Sequence, residues 1–353
     1  DEIIKRKLST MIFRGPDYQS YKRYRLPKEE ELTLGHIRLS ILDLDARSNQ
    51  PFDYNEQISI VFNGEIYNFE ELKNTLLQGV FLRTTSDTEV ICALYEKYGR
   101  ECVELLNGMF SFVIYDKQNN ELFGARDRLG KKPFYYRWSS EGFEFASQPD
   151  PIRIGNTFKI DEQARAFYLF NGYIPDPYCI WKDLKKLRAG QKFVYNIISN
   201  ELKISTYWDL FSNSCGFQRP KTYDEAKEIV YGLLDDAVKI RLRADVPIGM
   251  FLSGGIDSSL TSAFIAKHNN DITAYSIGFE NAAYDESSYA KDVAEALGIP
   301  IRIKKCEGVE MWEAFKGYSS FYDEPFADFS AIPSSLLAKM TREDVTVAIG
   351  GDG

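Results

Sequence analysis

The sequence contains few of the residues that form metal sites and disulfide frameworks. Its 353 residues include two histidines and five cysteines. The cysteines are Cys92, Cys102, Cys179, Cys215 and Cys306. Because they are scattered, without a Cys-x-x-Cys pair and almost without neighbouring histidine, neither a zinc site nor a disulfide framework is indicated. We expect reduced, partly buried thiols.

Long apolar runs and an excess of positive charge are also missing. No run approaches the roughly 20 apolar residues that a membrane span needs, and no signal peptide opens the chain, so we expect a soluble, cytoplasmic protein. Lysine and arginine number 43 against 52 aspartates and glutamates, which gives a formal net charge of −9. This balance argues against nucleic acid as an obligatory partner, because phosphate backbones need a basic face.

The chain does contain enough hydrophobic material for a sizeable core. Hydrophobic residues make up 44% and charged residues 27% of the sequence, and the length predicts two globular domains. The composition and the pattern of turns place the first domain at residues 1–155, an interdomain connection at 156–221 and the second domain at 222–353.

The first half has the pattern of an antiparallel β-sheet. Short apolar strands separated by polar turns are predicted at residues 58–62, 109–115, 122–125, 134–138 and 143–146. Apolar residues at helical spacing predict helices at 68–78 and 88–98, with Asn68 and either Ser86 or Asp87 as N-caps.

The second half alternates between helix and strand. Helices are predicted at 223–243, 259–267 and 287–297, and strands at 248–252, 272–278, 300–303 and 345–349. Such alternation predicts a mostly parallel sheet covered by helices on both faces. Ligands bind at the carboxyl ends of the strands in such sheets, and three candidate segments fall there: 253–259, 277–280 and 350–353.

The segment 253–259 reads Ser-Gly-Gly-Ile-Asp-Ser-Ser and joins a predicted strand to a predicted helix. Gly254 and Gly255 lack side chains, so their backbone N–H groups can approach an anion, and a helix beginning at about Ser258 adds unpaired N–H groups. Asp257 would repel phosphate unless a divalent cation lay between them, which makes it a candidate Mg²⁺ ligand. A glycine turn with a serine N-cap is the alternative, but the whole string favours a pyrophosphate site.

In the first half, Asn63 and Gly64 follow the predicted strand 58–62. An asparagine amide beside a glycine N–H can donate two hydrogen bonds to one oxyanion, although an ordinary Asn-Gly turn is the better explanation of these two residues taken alone. Arg38 lies in an otherwise apolar predicted strand, where its guanidinium needs a carboxylate partner. Asp87 adds a carboxylate at a helix start, where an ordinary N-cap is the alternative.

Together these strings resemble the glutamine-hydrolysing asparagine synthetases over nearly the whole chain. The segments similar to the glutaminase domain of that family are 14–17, 35–44, 63–68, 86–89, 106–110 and 125–133. Those similar to its synthetase domain are 253–259, 284–286, 323–328 and 350–353, the first of which also resembles the loop of the N-type ATP pyrophosphatases. The resemblance implies an α+β antiparallel-sheet sandwich of the Ntn-hydrolase type, followed by an α/β doubly wound parallel sheet of the adenine nucleotide α-hydrolase type.

The resemblance also implies a reaction. Glutamine would be hydrolysed in one domain, and its ammonia would attack a β-aspartyl-adenylate in the other. ATP would form that adenylate with release of pyrophosphate, and AMP would leave when asparagine forms. Glutamine, aspartate and ATP are therefore expected as substrates, Mg²⁺ as cofactor and a homodimer as the assembly.

Residue roles follow from the same resemblance. For glutamine, Arg38 would bind the α-carboxylate, Glu65 and Asp87 the α-ammonium, and Asn63 with Gly64 would form the oxyanion hole. For ATP, the expected residues are Leu252 and Ile277 through their backbones, Ser253, Gly254, Gly255, Asp257, Ser258 and Ser259 around the pyrophosphate, and Gly350 and Gly351 beside the adenylate. Asp257 would bind Mg²⁺, and Asp352 would occupy the acidic position at the reaction centre. Asp323, Glu324 and Ser330 are weaker candidates for the aspartate end, with a helix cap or a surface ion pair as the alternative.

The sequence departs from the family pattern at its start. The family's glutaminase uses an N-terminal cysteine, whose thiol attacks the amide and whose free α-amine serves as base, whereas residue 1 is Asp1. No internal cysteine can replace it, because an internal residue has no free amine. We therefore expect a fragment, truncated at both ends, that has no glutaminase activity of its own. The alternatives for function are a related amidotransferase or β-lactam-type synthetase acting on another carboxylate, and a catalytically inactive protein that binds glutamine and nucleotide.

Overall fold

The chain folds into two compact units. The computed structural model describes residues 1–27, 30–212, 219–269, 271–281, 283 and 285–351. The first unit comprises Asp1–Gly216 together with Asp323–Ala327, and the second comprises Phe217–Tyr322 and Asp328–Gly353. The stretch 156–221, expected as a connection, therefore contributes most of its length to the first unit.

The first unit combines short helices with many strands. Its helices are α1 (Glu2–Ser9), α2 (Phe69–Leu76), α3 (Asp87–Tyr98), α4 (Cys102–Leu105), α5 (Pro149–Arg153) and α6 (Glu162–Asn171). Its strands are β1 (Tyr18–Arg25), β2 (Glu31–Arg38), β3 (Phe52–Asp53), β4 (Ile58–Ile66), β5 (Gly108–Asp116), β6 (Glu121–Arg126), β7 (Tyr135–Ser139), β8 (Gly142–Ala146), β9 (Lys185–Lys186), β10 (Gln191–Asn196) and β11 (Glu201–Thr206).

These strands form antiparallel sheets, as the sequence predicts. The largest has the order β11-β10-β6-β5-β4-β3, and two smaller sheets have the orders β1-β2 and β8-β7-β9. Strand β10 pairs with β6, so residues expected in a connection complete the main sheet.

The main sheet has a hydrophobic layer on each face, because side chains alternate along a strand. In β5, Phe112 and Ile114 belong to the cluster that includes residues of α2, α3 and α4. Val113 and Tyr115 belong to a second cluster, with Leu34 of β2 and residues of β7 and β10. The first unit is therefore a layered α+β fold in which helices cover one face of the main sheet and the smaller sheets cover the other.

Strand β4 is longer than the sequence predicts. It continues through Asn63 and Gly64 to Ile66, and these two residues pair with Ser111 and Phe110 of β5. The expectation that the strand ends before Asn63, and the alternative of an Asn-Gly turn, are both wrong. The glycine is needed for a different reason, since a Cβ on Gly64 would lie 2.1 Å from the carbonyl oxygen of Met109.

The second unit is an α/β fold. Its helices are α7 (Tyr223–Arg241), α8 (Ile256–His268), α9 (Ser287–Leu297), α10 (Gly308–Lys316) and α11 (Ala331–Thr341), and its strands are β12 (Ile248–Phe251), β13 (Ala274–Phe279), β14 (Ile301–Cys306) and β15 (Val347–Ile349). The strands form a parallel sheet in the order β14-β13-β12-β15, which confirms the parallel arrangement. Met250 and Ala274 share a core with residues of α7, α8 and α9.

None of the helices formed by the described residues has both the length and the hydrophobicity needed to cross a bilayer. Helix α7 has 19 residues, with acidic residues in its first turn and basic residues in its last. Those charges complement the helix dipole.

Candidate functional sites

The first unit contains a cavity of about 620 Å³ beside β2, β4 and β5. All five residues expected to bind glutamine line it: Arg38, Asn63, Gly64, Glu65 and Asp87. They come from separate stretches of sequence, at the end of β2, the end of β4 and the start of α3. The fold thus brings these residues to one place, large enough for a small polar ligand.

Two of the carboxylates that line the cavity, those of Glu65 and Asp87, repel each other. Asp87 is the first residue of α3, and its Oδ2 accepts a hydrogen bond from the N–H of Ile66 at 2.9 Å. Burial raises the pKa of Asp87 to about 6. Burial, with a smaller contribution from repulsion by Asp87, raises the pKa of Glu65 to about 7. Two desolvated carboxylates that repel each other are stabilised by a bound cation, such as the ammonium group of a ligand.

Ser86 is the N-cap of α3. Its Oγ accepts a hydrogen bond from the N–H of Thr88, so the carboxylate of Asp87 is not required as the cap. Asn68 occupies the N-cap position of α2, as expected, but its side chain bonds the backbone of Leu105 and Asn107 and makes no capping bond. Because Ser86 caps α3, the Asp87 carboxylate is available to a ligand in the cavity.

Arg38 is buried, and its terminal nitrogens are engaged by the loop that follows β2. One nitrogen donates to the carbonyl of Asp45 at 3.0 Å and to Oδ1 of Asn49 at 2.7 Å. The other donates to the carbonyls of Leu42, at 3.3 Å, and Asp43. The carboxylate partner expected from the sequence is replaced by these neutral oxygens. Among the described residues, no partner is bonded to the Nε–H, which remains available to an anion.

Asn63 is held by a hydrogen bond across the cavity wall. Its Nδ2 donates to Oγ of Ser147 at 3.3 Å, just after β8 ends. A primary amide carries two hydrogens on this nitrogen, so one remains for a ligand. The side chain can therefore donate to an oxyanion while it is kept in one orientation.

Lys132 is a cavity residue to which the sequence assigned no role. It ends a loop built on Asp127, whose carboxylate accepts hydrogen bonds from the backbone N–H groups of Leu129, Lys131 and Lys132. Burial lowers the pKa of Lys132, opposed by attraction to Glu65. Within the described part of the chain its ammonium forms no hydrogen bond or ion pair. Lys132 lies in the segment 125–133, which resembles the family's glutaminase domain, but the sequence does not indicate which side chain of that segment reaches the cavity.

The described cysteines lack the properties of a nucleophile. Cys92, Cys102, Cys179 and Cys306 are all buried. Burial raises the pKa of each thiol, to about 12 for Cys102. Because the thiolate is the reactive form, these four residues are unsuited to attack on a substrate. Cys215 lies outside the described residues.

In the second unit, the expected pyrophosphate loop connects β12 to α8. Helix α8 begins at Ile256, earlier than the expected start at about Ser258, and Gly255 precedes it as the N-cap without a side-chain capping bond. Gly254 has a φ of +83°, and a Cβ there would lie 2.5 Å from the Cβ of Tyr289. Only glycine therefore fits this close approach to α9 without strain.

The start of α8 presents free hydrogen-bond donors. Among the described residues, no partner accepts from the backbone N–H groups of Ile256, Asp257 or Ser258, while the N–H of Ser259 bonds to Gly255. The buried Oγ of Ser259 also has no partner within the described chain. Oγ of Ser253 and Oγ of Ser258 lie 2.9 Å apart. Such a helix start with adjoining hydroxyls is suited to phosphate.

The other expected ATP residues gather at the same edge of the sheet. Leu252 donates its N–H to Tyr275 of the neighbouring β13, in which Ile277 lies two residues further on. Strands β12 and β15 are parallel neighbours, so Gly350 and Gly351 follow β15 next to the loop. A Cβ on Gly351 would lie 2.8 Å from the backbone nitrogen of Ser258. Asp352 lies outside the described residues.

A metal site made by the protein alone is not formed by the described residues, among which no three His, Cys, Asp or Glu side chains cluster suitably. Asp257 is exposed in the first turn of α8. One carboxylate beside a phosphate site fits Mg²⁺, which typically takes most ligands from water and substrate phosphates.

Two weaker candidates for the aspartate end belong to the first unit, namely Asp323 and Glu324. Their carboxylates are used in hydrogen bonds within that unit. Ser330 donates its hydroxyl to Asp328, at 2.8 Å.

Comparison with known proteins divides the chain in a similar way. A family model described as a glutamine amidotransferase domain matches residues 1–208, and one described as asparagine synthase matches residues 230–353. A provisionally named glutamine-hydrolysing asparagine synthetase 2 of Methanocaldococcus jannaschii is 38% identical over 378 residues, covering 100% of this chain and 72% of the relative. Glutamine-hydrolysing asparagine synthetase 1 of Bacillus subtilis is 34% identical, covering 100% of this chain and 55% of the relative. The chain thus spans only part of the length of each.

Among solved structures, glutamine phosphoribosylpyrophosphate amidotransferase from B. subtilis, complexed with ADP and GMP, is similar with a TM-score of 0.43. The two chains are 16% identical, and the match covers 86% of this chain and 62% of the other.

Proposed function

Because this chain belongs to the family of glutamine-hydrolysing asparagine synthetases, we propose that it carries the glutamine site and the ATP site of an enzyme that amidates aspartate to asparagine. The observation that carries the proposal is that each unit gathers its own expected residues: the paired carboxylates with Asn63 in one cavity, and the loop 253–259 beside Gly351 at one sheet edge.

In the first unit, glutamine binds in the 620 Å³ cavity. Its α-ammonium lies against Glu65 and Asp87, the pair of carboxylates that favours a cation. Its α-carboxylate is held by Arg38, through the Nε–H that no described residue engages. The side-chain amide then extends toward Asn63 and Gly64.

Hydrolysis of the amide begins when a thiolate sulfur attacks its carbonyl carbon. The carbonyl oxygen becomes negative, and hydrogen bonds from Asn63 and Gly64 stabilise it. The carbon–nitrogen bond then breaks, the nitrogen leaves as ammonia after protonation, and water hydrolyses the thioester. The proposed nucleophile is an N-terminal cysteine, the residue that the family's glutaminase uses. The four described thiols are buried and unsuited to this attack.

In the second unit, a β-carboxylate oxygen of aspartate attacks the α-phosphorus of ATP and pyrophosphate leaves. The free N–H groups at the start of α8, with Ser253, Ser258 and Ser259, hold the departing phosphates. Backbone groups of Leu252 and Ile277 frame the nucleotide. Ammonia then attacks the acyl carbon of the adenylate, and AMP leaves as asparagine forms.

The proposal has several further parts. Asp257 binds Mg²⁺, which when bound neutralises phosphate charge, while Gly254, Gly255, Gly350 and Gly351 allow the backbone to approach the nucleotide. Asp352 provides the acidic group at the reaction centre. A cytoplasmic location is proposed from the reduced state expected of the scattered thiols. A homodimer is proposed from the family alone.

The function is tested by measuring asparagine formed from aspartate, MgATP and glutamine by the intact protein, with ammonia as a second nitrogen source. We expect asparagine with either source, and AMP and pyrophosphate in equal amounts. No asparagine with either source, or ADP and phosphate as products, would contradict the proposal. Transfer to another carboxylate while aspartate stays unchanged would favour a related amidotransferase.

The residues 1–353 alone should release no glutamate from glutamine, because the four described cysteines are buried and any internal cysteine lacks the free α-amine that serves as base. Glutamate release is measured with a coupled dehydrogenase assay. Release by the purified chain, lost on treatment with a thiol-blocking reagent, would show that another cysteine is the nucleophile.

A further inference from the structure

Five residues from the second half of the sequence are built into the first unit. The stretch Asp323–Ala327 clusters with the first unit, although the chain before and after it belongs to the second. Glu324 is its main attachment. Its Oε1 accepts the N–H of Ile180 at 2.8 Å, and its Oε2 accepts from the hydroxyl of Tyr135 at 2.7 Å and from Nζ of Lys186 at 2.8 Å.

This attachment is buried and well bonded. The side chains of Lys186 and Glu324 are 10% and 11% exposed. Lys186 also donates to the carbonyl of Ile174 at 2.8 Å. Because a buried charge that loses its partner is strongly unfavourable, the pair holds this stretch in place.

Asp323, next to this anchor, fixes a turn beside the glutamine cavity. Its Oδ1 accepts a hydrogen bond from Nε2 of Gln148 at 2.9 Å, and its Oδ2 accepts from the N–H of Asp150 at 3.0 Å. Gln148 is the N-cap residue of α5 and makes no side-chain capping bond. The Asp323 carboxylate therefore caps α5 from a distant part of the sequence.

The turn that Asp323 holds leads directly to the oxyanion donor. Ser147 immediately precedes Gln148, and its Oγ accepts the hydrogen bond from Nδ2 of Asn63 at 3.3 Å. The direction of that bond fixes the plane of the amide, and with it the direction of the second N–H. A continuous series of contacts thus runs from the Asp323 carboxylate to the Asn63 amide.

We propose that Asp323 is a positioning residue of the glutamine site, which orients the Asn63 amide through the turn that carries Ser147. Since the chain on both sides of the stretch belongs to the second unit, the geometry of the glutamine site depends on a segment supplied by the synthetase half of the sequence. The inference deepens the proposed function and rests on it only for the use of Asn63 as oxyanion donor.

The test observes the Asn63 amide directly by NMR of the 353-residue chain labelled with ¹⁵N-asparagine. The two side-chain N–H signals of Asn63 are identified by their absence from Asn63→Asp. We expect Asp323→Ala to shift these signals and Asp323→Asn to leave them near their original positions. Asparagine can donate to the Gln148 side-chain oxygen and accept from the N–H of Asp150, so it preserves both contacts.

A matched control is Asp161→Ala. Asp161 is the N-cap of α6, where its carboxylate accepts from the N–H groups of Gln163 at 2.9 Å and Ala164 at 3.0 Å. This variant loses a helix cap of the same kind without breaking the series that leads to Asn63. Unchanged Asn63 signals in folded Asp323→Ala, or equal shifts in Asp161→Ala, would overturn the proposal. If Asp323→Ala does not fold, Gln148→Ala is used instead, since it breaks the same contact with Asp323. It should shift the Asn63 signals, and unchanged signals would overturn the proposal.

Titration with glutamine separates this inference from the proposed function. If Asp323→Ala shifts the Asn63 signals while glutamine shifts none in the unsubstituted chain, the positioning link stands and the glutamine site is refuted. If glutamine shifts them and Asp323→Ala does not, the glutamine site stands and the positioning link is refuted.

Discussion

Protonation of Glu65 should control the binding of glutamine. Glu65 and Asp87 line one cavity, and burial raises their pKa values to about 7 and about 6. An α-ammonium group is attracted by ionised carboxylates, so a bound glutamine favours the ionised pair and releases protons. The affinity should therefore rise with pH through the range in which the pair ionises.

The size of the effect follows from the ionised fraction of Glu65. With a pKa of about 7, the Glu65 carboxyl is ionised in about three quarters of the molecules at pH 7.5 and in about one in ten at pH 6. The Kd for glutamine should then be about eightfold higher at pH 6, a difference of about 1.2 kcal/mol. Asp87, whose pKa is about 6, is itself about half protonated at pH 6, so its protonation should weaken binding roughly twofold more at that pH and further below it.

The stability of the free protein should change in the opposite direction. The folded pKa of Glu65 lies above its ordinary value of 4.5. Protonated Glu65 therefore stabilises the folded state fully below pH 4.5. This stabilisation is lost as the pH rises from 4.5 through about 7. The free energy of unfolding should fall by on the order of 3 kcal/mol over this range. Glu65→Gln should abolish this pH dependence, because glutamine does not titrate.

Calorimetric titration at pH 6 and 7.5, in buffers with different ionisation enthalpies, measures both the affinity and the protons released. Glu65→Gln should bind glutamine weakly with little pH dependence. Glu71→Gln, on the exposed side of α2, should behave like the unsubstituted chain. A ligand that lacks the α-amine, 4-carbamoylbutanoate, should show a much smaller dependence on pH. An equal Kd at both pH values, or the same pH dependence in Glu65→Gln, would refute the reasoning.

Three glycine substitutions give further predictions. Gly64→Ala would place a Cβ 2.1 Å from the carbonyl oxygen of Met109, and denaturant unfolding should show a loss of about 3 kcal/mol or more. Gly232→Ala, within α7 and with nothing within 4 Å of the new Cβ, should gain about 0.5–1 kcal/mol in the same measurement. Gly351→Ala would place a Cβ 2.8 Å from the backbone nitrogen of Ser258, so the Kd for MgATP should rise at least about tenfold by calorimetry. An ATP affinity equal to that of Gly232→Ala would contradict this last prediction.

The sequence predicts the regular elements best where the apolar pattern is clear. Helix α9 (Ser287–Leu297) has the predicted bounds, and β5 differs from its prediction by one residue at each end. Helices α10 and α11 were not predicted. The apolar residues of α10, among them Trp312 and Phe315, are exposed, so they do not outline a buried helix face, and the apolar residues of α11 are not concentrated on one face.

The site residues with strong local signatures could be read from the sequence, but their supporting contacts could not. Gln148 and Asp323 are separated by 175 positions, and no periodicity relates them. The pair Asn63 and Gly64 illustrates the same limit, because its local signature favours a turn, whereas pairing with β5 keeps the chain extended. Tertiary pairing overrides the turn preference here, and the glycine is required by the neighbouring carbonyl of Met109. A motif can therefore identify which side chains do the chemistry, while the contacts that orient them, such as that between Ser147 and Asn63, depend on which strands and turns meet in the folded chain.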